Sequence, residues 1–206
     1  MKEEIALPGE RFNEETGGAR LGMWLFLYTE IMLFGGLFVL YAAYYYRYTQ
    51  DFIQAGKETE LFLGTLNTAL LLLSSFTVAS AIAAMKKKSR RLAIMLLGAT
   101  IFLAACFLLN KYFEWSHKFE HGLYPGSQVL AGQNGMTIFF GLYFMLTGLH
   151  ALHVCIGIIV LSTNIVLAAR GWTHSGRMNF LENSGLYWHL VDIIWIFLFP
   201  LFYLLL

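Results

Sequence analysis

The stretch MTIFFGLYFMLTGLHALHVCIGIIVLSTNIVLAA, residues 136–169, decides the fold of this chain. It contains no formal charge. A transmembrane helix needs about 20 apolar residues to cross a hydrocarbon core about 30 Å thick. The run is longer than that, so it predicts a helix that is tilted or protrudes from the membrane. Its continuous apolar character favours a helix over a barrel strand, which alternates at every second residue.

Four further apolar runs of comparable length accompany it. The sequence therefore predicts an all-α fold, a polytopic membrane helix bundle with five transmembrane helices over about 21–46, 61–85, 91–113, 136–169 and 183–206. Residues 1–20 are polar and are predicted to be a separate N-terminal segment on the cytoplasmic side. Residues 21–206 are predicted to form one membrane domain, because the connections are short and no internal repeat is evident.

The composition excludes other classes of protein. Hydrophobic residues make up 58% of the chain and charged residues 13%, about half the charged share of a soluble domain. So few charges cannot cover a water-soluble enzyme, and so much apolar sequence excludes a disordered chain. A net charge of +1 gives no sign of a nucleic-acid partner. Cys106 and Cys155 lie apart in apolar runs, so no disulfide framework or redox pair is encoded.

The distribution of Lys and Arg predicts the orientation. Ten of them fall in the N-terminal segment and in the second and fourth connections, and the remaining four fall on the other side. Because basic residues accumulate on the cytoplasmic side of membrane proteins, the N-terminus is expected inside and the C-terminus outside. The cluster KKKSRR at residues 86–91 is the strongest single marker.

Polar residues at membrane depth are candidates for function, because burying them is costly. Glu30 lies nine residues into the first predicted helix, about 13 Å from its start. Two readings are open: a protonated, hydrogen-bonded acid at a helix contact, or a residue that moves protons or tunes a neighbouring proton path.

Histidines mark the last two predicted helices. His150 and His153 are three residues apart and share a helix face, and His189 and Asp192 have the same spacing. A structural polar clasp between these helices, formed by the four residues, is predicted over a metal site, since two ligands on one helix do not complete a site. Residues 114–121, EWSHKFEH, are expected to form a solvated, salt-bridged helix end with Trp115 as an interfacial anchor.

Arg170 and Arg177, with Trp172 between them, are expected at the inner interface. Basic and aromatic side chains there suit an anionic lipid headgroup. Ordinary interfacial anchoring is the alternative.

Several motifs, in order along the chain, resemble subunit III of haem-copper terminal oxidases (the cytochrome c oxidase subunit III family) in its short five-helix bacterial form. The last helix reads FLENSGLYWHLVDIIWIFLF at 180–199, and the fourth contains TGLHALHVCIG at 147–157. The first helix contains RLGMWLFLYTE at 20–30, the second LNT at 66–68, and the third ends with EWSHK at 114–118.

The resemblance implies a non-redox subunit of a respiratory enzyme, an oxidoreductase complex that reduces dioxygen and pumps protons. Such a subunit packs on catalytic subunit I, with subunit II in the same complex, and it binds structural phospholipid. Haem and copper are then expected in the partner subunits, and no cofactor, metal or catalytic residue in this chain. Glu30 matches the family's buried, carbodiimide-reactive carboxylate, which implies support of proton uptake. The implied location is the inner membrane of a bacterium.

Three alternatives remain open at this point. The chain could belong to a quinol oxidase, because the electron donor docks on another subunit. It could be the related accessory protein of a nitric oxide reductase. A free-standing transporter would use Glu30, Asp192 and the histidines as a proton relay, although Glu30 and Asp192 are the only two formal charges away from the ends of the predicted spans.

Overall fold

The computed structural model of the chain describes residues 8–171 and 178–204. These residues form six α-helices and a short π-helical turn at the C-terminal end. The helices are α1 (Pro8–Arg47), α2 (Thr49–Lys57), α3 (Leu61–Lys86), α4 (Arg90–Glu120), α5 (Asn134–Ala169) and α6 (Met178–Phe199), and the turn is Pro200–Leu204. The predicted all-α bundle with five apolar spans is confirmed, since α1, α3, α4, α5 and α6 are each long and apolar enough to cross a membrane.

The buried face of the spans repeats at alternating intervals of three and four residues. In α4 the buried positions are Ala93, Leu97, Thr100, Ala104, Phe107, Lys111, Glu114 and Lys118. A repeat of 3.5 residues keeps one face of a helix against its neighbours with the shallow crossing angles of left-handed bundles. The face is defined by its spacing and not by its hydrophobicity, because its last three positions are charged.

Helix α6 lies at the centre of the packing and α1 at its edge. α6 contacts α1, α3 and α5, and α3 packs along α4. In the most apolar 18-residue segment of α6, 56% of the residues are buried, and in that of α1 only 11% are buried. The α5–α6 contact is close: a Cβ atom on Gly157 would stand 2.6 Å from the Trp188 ring.

The connections place different chemistry at the two ends of the bundle. The end that carries Lys86–Arg91 and the end of α5 at Arg170 is called the basic end. The opposite end, called the distal end, carries α2, the connection 121–133 and the C-terminal π-helical turn. Pro200 starts that turn because it has no N–H to continue the α-helical ladder.

Several predicted boundaries differ from the structure. Helix α1 begins at Pro8, so most of the segment predicted as polar and separate continues the first span. Helix α4 extends seven residues past 113, and α6 begins at Met178 instead of 183. The short helix α2 was not predicted, since its polar sequence carries no membrane signal. In each case hydropathy marks the apolar part of a helix, whereas the backbone hydrogen bonds continue into polar residues.

Candidate functional site

Glu30 of α1 and His153 of α5 form a polar pair in the middle of the bundle. The carboxylate oxygen Oε2 lies 2.9 Å from the imidazole Nε2, and the Glu30 side chain is 13% exposed. The other ring nitrogen, Nδ1, lies 2.7 Å from the carbonyl oxygen of Leu149. Phe34 and Tyr187 flank the imidazole.

This geometry fixes the protonation chemistry of the pair. A carbonyl oxygen only accepts hydrogen bonds, so Nδ1 of His153 carries a proton and donates it to Leu149. The contact between Nε2 and Glu30 therefore contains one further proton, held either by the carboxylic acid or by an imidazolium.

The other described members of the predicted clasp do not bond one another. His189 of α6 pairs with Ser75 of α3, with Nδ1 at 2.7 Å from the hydroxyl oxygen. Among the described residues, neither ring nitrogen of His150 makes a hydrogen bond, and the Asp192 carboxylate has only a weak contact with the Ser75 hydroxyl. His150 lies between the rings of Phe107 and Trp195.

The predicted clasp is therefore not formed in the described part of the chain. The imidazole of His153 bonds Glu30 of α1 and that of His189 bonds Ser75 of α3, so neither ring forms the hydrogen bond between α5 and α6 that the spacing suggested. The contact between α5 and α6 is instead made by large apolar side chains and by two hydrogen bonds. Asn164 donates to the hydroxyl of Ser184 at 2.8 Å, and the hydroxyl of Tyr187 donates to the carbonyl oxygen of His153 at 3.0 Å.

A buried ionic cluster lies at the distal end. Lys111 and Glu114 of α4 form an ion pair, with Nζ 3.0 Å from Oε2. The hydroxyls of Tyr143 of α5 and Tyr203 of the π-helical turn each donate to Glu114 Oε1 at 2.6 Å. The Lys111 ammonium also donates to both hydroxyl oxygens, at 3.0 and 2.9 Å.

The hydrogen bonds of this cluster form a closed set. All three ammonium protons of Lys111 have an acceptor, and both tyrosine protons go to the carboxylate. With both ions nearly inaccessible to solvent, the arrangement meets the requirement that buried charges be paired and fully bonded. It joins α4, α5 and the C-terminal turn.

The solvated helix end predicted at residues 114–121 is wrong for Glu114 and Lys118. Glu114 and Lys118 are buried, and Lys118 donates to the carbonyl oxygen of Glu58 at 3.0 Å instead of pairing with Glu114. His117 and His121 are exposed, as expected, with ring centroids 4.2 Å apart. The sequence signal that identifies these two buried residues is the three-four repeat of α4, which begins at Ala93 and continues through Lys111, Glu114 and Lys118.

The proposed lipid contacts lie at the basic end and are only partly described. Arg170 follows the last residue of α5 as its C-cap and is exposed. Its backbone N–H donates to the carbonyl oxygen of Val166. Trp172 and Arg177 lie outside the described residues. Within 8–171 and 178–204, no three His, Cys, Asp or Glu side chains come together in a way that could hold a metal ion.

Comparison with known proteins identifies the chain's relatives. A family model for cytochrome c oxidase subunit III matches residues 1–205. A cytochrome c oxidase subunit 3 of Thermostichus vulcanus is 33% identical over 190 residues, covering 90% of this chain and 86% of the relative. A cytochrome bo(3) ubiquinol oxidase subunit 3 of Pseudomonas aeruginosa is 31% identical over 98% of this chain and 92% of the relative.

One relative carries this unit within a longer protein. A haem-copper oxidase subunit I+III of Aeropyrum pernix is 29% identical over 90% of this chain, and the match covers 22% of that protein. In that organism a subunit III unit and a subunit I unit are thus one polypeptide by name.

Proposed function

The chain belongs to the cytochrome c oxidase subunit III family, and we propose from this that it is the non-redox subunit III of a respiratory haem-copper oxidase. The match to the family over almost the whole chain carries the proposal. The five apolar spans make the protein a multi-pass membrane protein, and membership in the family implies a complex with the catalytic subunit.

The proposed role is support of that catalytic subunit. Haem and copper belong to partner subunits in this proposal, and the chain contributes packing, phospholipid contacts at the basic end through Arg170, and help with proton uptake. Two of the three histidines inside the spans already use a ring nitrogen to bond Glu30 or Ser75. That pairing supports a structural or proton-handling use of these side chains.

Cytochrome c is the proposed electron donor. Quinol is the alternative, and the similarity of the chain to a ubiquinol oxidase subunit 3 favours keeping it as a second candidate. The proposed location is the inner membrane of a bacterium, with subunit II as a further partner.

Purification of the tagged chain in mild detergent tests the proposal. A haem absorption spectrum and a large catalytic subunit are expected to copurify with the tag. Oxygen consumption is then measured with reduced cytochrome c and, separately, with ubiquinol, and the faster donor decides the oxidase type. Recovery of the chain without haem would favour a free-standing transporter, and reduction of nitric oxide in place of oxygen would favour the reductase accessory protein.

A further inference from the structure

The π-helical turn Pro200–Leu204 lies at the distal end against all the other spans, and its backbone is bonded from outside the turn. The hydroxyl of Tyr41 on α1 donates to the carbonyl oxygen of Leu201 at 2.6 Å. The hydroxyl of Thr59, between α2 and α3, lies 2.9 Å from the carbonyl oxygen of Phe202, within hydrogen-bond distance. The last carbonyl groups of a helix have no partner within it, so side chains of other elements satisfy two of them here.

Two aromatic side chains of the turn are buried among the neighbouring spans. Phe202 and Tyr203 are each 1% exposed. The Phe202 ring packs against Phe139 and Tyr143 of α5, with centroid separations of 5.6 and 5.4 Å. The Tyr203 ring lies directly on Gly64 of α3, where a Cβ atom would stand 2.7 Å from the ring. The turn therefore fits a site that α3 and α5 have already shaped.

The Tyr203 hydroxyl also covers the ion pair of Lys111 and Glu114. It accepts from the Lys111 ammonium at 2.9 Å and donates to Glu114 Oε1 at 2.6 Å. Glu58 and Glu60, on the connection beside the turn, are exposed, so water is available there. Water can replace both bonds of the hydroxyl and hydrates the two charges better than a protein interior does. Burial of the aromatic rings is therefore the main force that holds the turn in place.

Pro200 separates the turn from α6. Proline has no N–H and its ring does not fit against the preceding helical turn, so the α-helical ladder stops there. Helix α6 is bonded to α3 before that point: Trp188 donates to Ser74 and Trp195 donates to Thr68, each at 3.0 Å. These bonds do not involve the turn, so the turn can leave its site while α6 stays in place.

We propose that the turn Pro200–Leu204 is a latch that closes the distal end of the bundle. In the docked state it excludes water from the Lys111–Glu114 pair and from the buried face of α2. In the released state the distal end is hydrated, while the basic end stays packed because none of its contacts is broken. The proposal requires neither type of oxidase, so its failure is separate from a failure of the proposed function.

Labelling of buried cysteines tests the latch in the full chain, purified with the subunits that it retains. In the background chain Cys106 and Cys155 are replaced by alanine. A single cysteine is then introduced by Ala55→Cys on α2, which contacts the turn, or by Ala93→Cys at the basic end. Both alanines are 0% exposed, so a polar maleimide reacts with either cysteine only when the surrounding structure opens.

Gly64→Ala is the first test variant, because its methyl group displaces the Tyr203 ring while every hydrogen-bonding group of the chain is kept. We expect Ala55→Cys to be labelled at least about fivefold faster than in the background chain, and Ala93→Cys at an unchanged rate. Gly98→Ala is the matched control, since it adds the same methyl group to a helix at a position with no atom within 4 Å.

Tyr41→Phe is the second test variant and removes only the hydroxyl that bonds the backbone of the turn. The buried carbonyl group then lacks a partner, and labelling of Ala55→Cys is again expected to be about fivefold faster or more. Tyr28→Phe, which removes an exposed hydroxyl from the same helix, is the control.

Two outcomes would overturn the proposal. The first is labelling of Ala55→Cys at the background rate in both test variants, which would show that the turn is not what closes this end. The second is equal acceleration at Ala55→Cys and Ala93→Cys, which would show that the bundle opens only as a whole.

Discussion

Two ionised or ionisable clusters inside the spans differ in whether their hydrogen bonds are closed. Around Lys111 and Glu114 every polar proton has one acceptor, and the cluster therefore has a single arrangement. Between Glu30 and His153 one proton has two possible owners. The first site has one set of hydrogen-bond partners and the second has two possible positions for one proton, so the two sites are expected to respond differently to substitution.

Glu30→Gln is expected to lower the turnover of the complex while leaving its assembly intact. The glutamine amide can still donate a hydrogen bond to Nε2 of His153, so the α1–α5 contact persists. Unlike a carboxyl group, the amide does not ionise at neutral pH. Haem content and copurification are expected to match the wild type, and oxygen consumption to decline faster during sustained turnover. Thr29→Val on the same turn is the control. Loss of haem from the Glu30→Gln preparation would assign Glu30 a purely structural role.

Lys111→Met is expected to destabilise the chain by about 3–5 kcal/mol, because it leaves the buried Glu114 carboxylate without its cation. Adding Glu114→Leu is expected to recover much of that loss, since the double variant buries no charge. Unfolding in detergent by SDS titration measures the difference, with the exposed residue substitution Lys57→Met as the control. A double variant no more stable than Lys111→Met would show that the loss does not come from the unpaired carboxylate.

Asp192→Leu is expected to leave the chain in its complex and to keep or raise its stability. The Asp192 carboxylate is buried and its only partner among the described residues is a weak contact with the Ser75 hydroxyl, and replacing such a group with an apolar one of similar size removes a desolvation cost. This reverses the expectation that a clasp would create. Thermal unfolding and retention after purification measure it; release of the chain from the complex in the variant would restore the clasp hypothesis.

At the scale of the helices, hydropathy predicts which segments cross the membrane, and the three-four repeat predicts which face is buried. The five spans follow from hydropathy because lipid exposure demands apolar side chains around the whole helix. Hydropathy does not predict that Lys111, Glu114 and Lys118 of α4 are buried, because these residues are charged. Their spacing does predict it, since they continue the repeat of the preceding buried residues. Tyr203 could not be predicted as their partner, since its contact depends on the π-helical turn after Pro200 and on a sequence separation of 89 residues from Glu114.

The close α5–α6 approach gives a prediction at this scale. Gly157→Leu is expected to destabilise the bundle by about 1–3 kcal/mol, because the new side chain overlaps the Trp188 ring in a packed contact. Gly36→Leu on α1 is the matched control, since no atom lies within 4 Å of its Cβ position. SDS titration compares the two variants. Equal stability of both would show that α5 and α6 separate enough to admit the side chain.

The whole molecule is a bundle with an unevenly covered surface. In the most apolar part of the central helix α6 more than half of the residues are buried, whereas in that of α1 only 11% are buried. Helix α1 contacts α2, α5 and α6 and lies at the edge of the bundle. Family membership implies a catalytic partner, and the relative that joins subunit I and subunit III in one chain is consistent with a lasting contact. The charged residues are concentrated at one end of the bundle, so the bundle has a preferred orientation in the membrane. The distribution of Lys and Arg in the sequence predicts that orientation.

The orientation prediction places the basic end on the cytoplasmic side and the distal end outside. The structure puts Lys86–Arg91 and Arg170 at one end and the described C-terminal turn at the other. Lys111 and Lys118 should count little in the balance of charges, because both are buried against acceptors inside the bundle. The cluster at the basic end is exposed, and within the described residues only Lys86 of this cluster forms an ion pair. The asymmetry is therefore stronger than the ten-to-four count indicates. Alkaline phosphatase, which is active only outside the cytoplasm, is expected to be active when fused after Leu206 and inactive when fused in the turn at Ser89. The opposite pattern would show that the chain inserts against its own charge distribution.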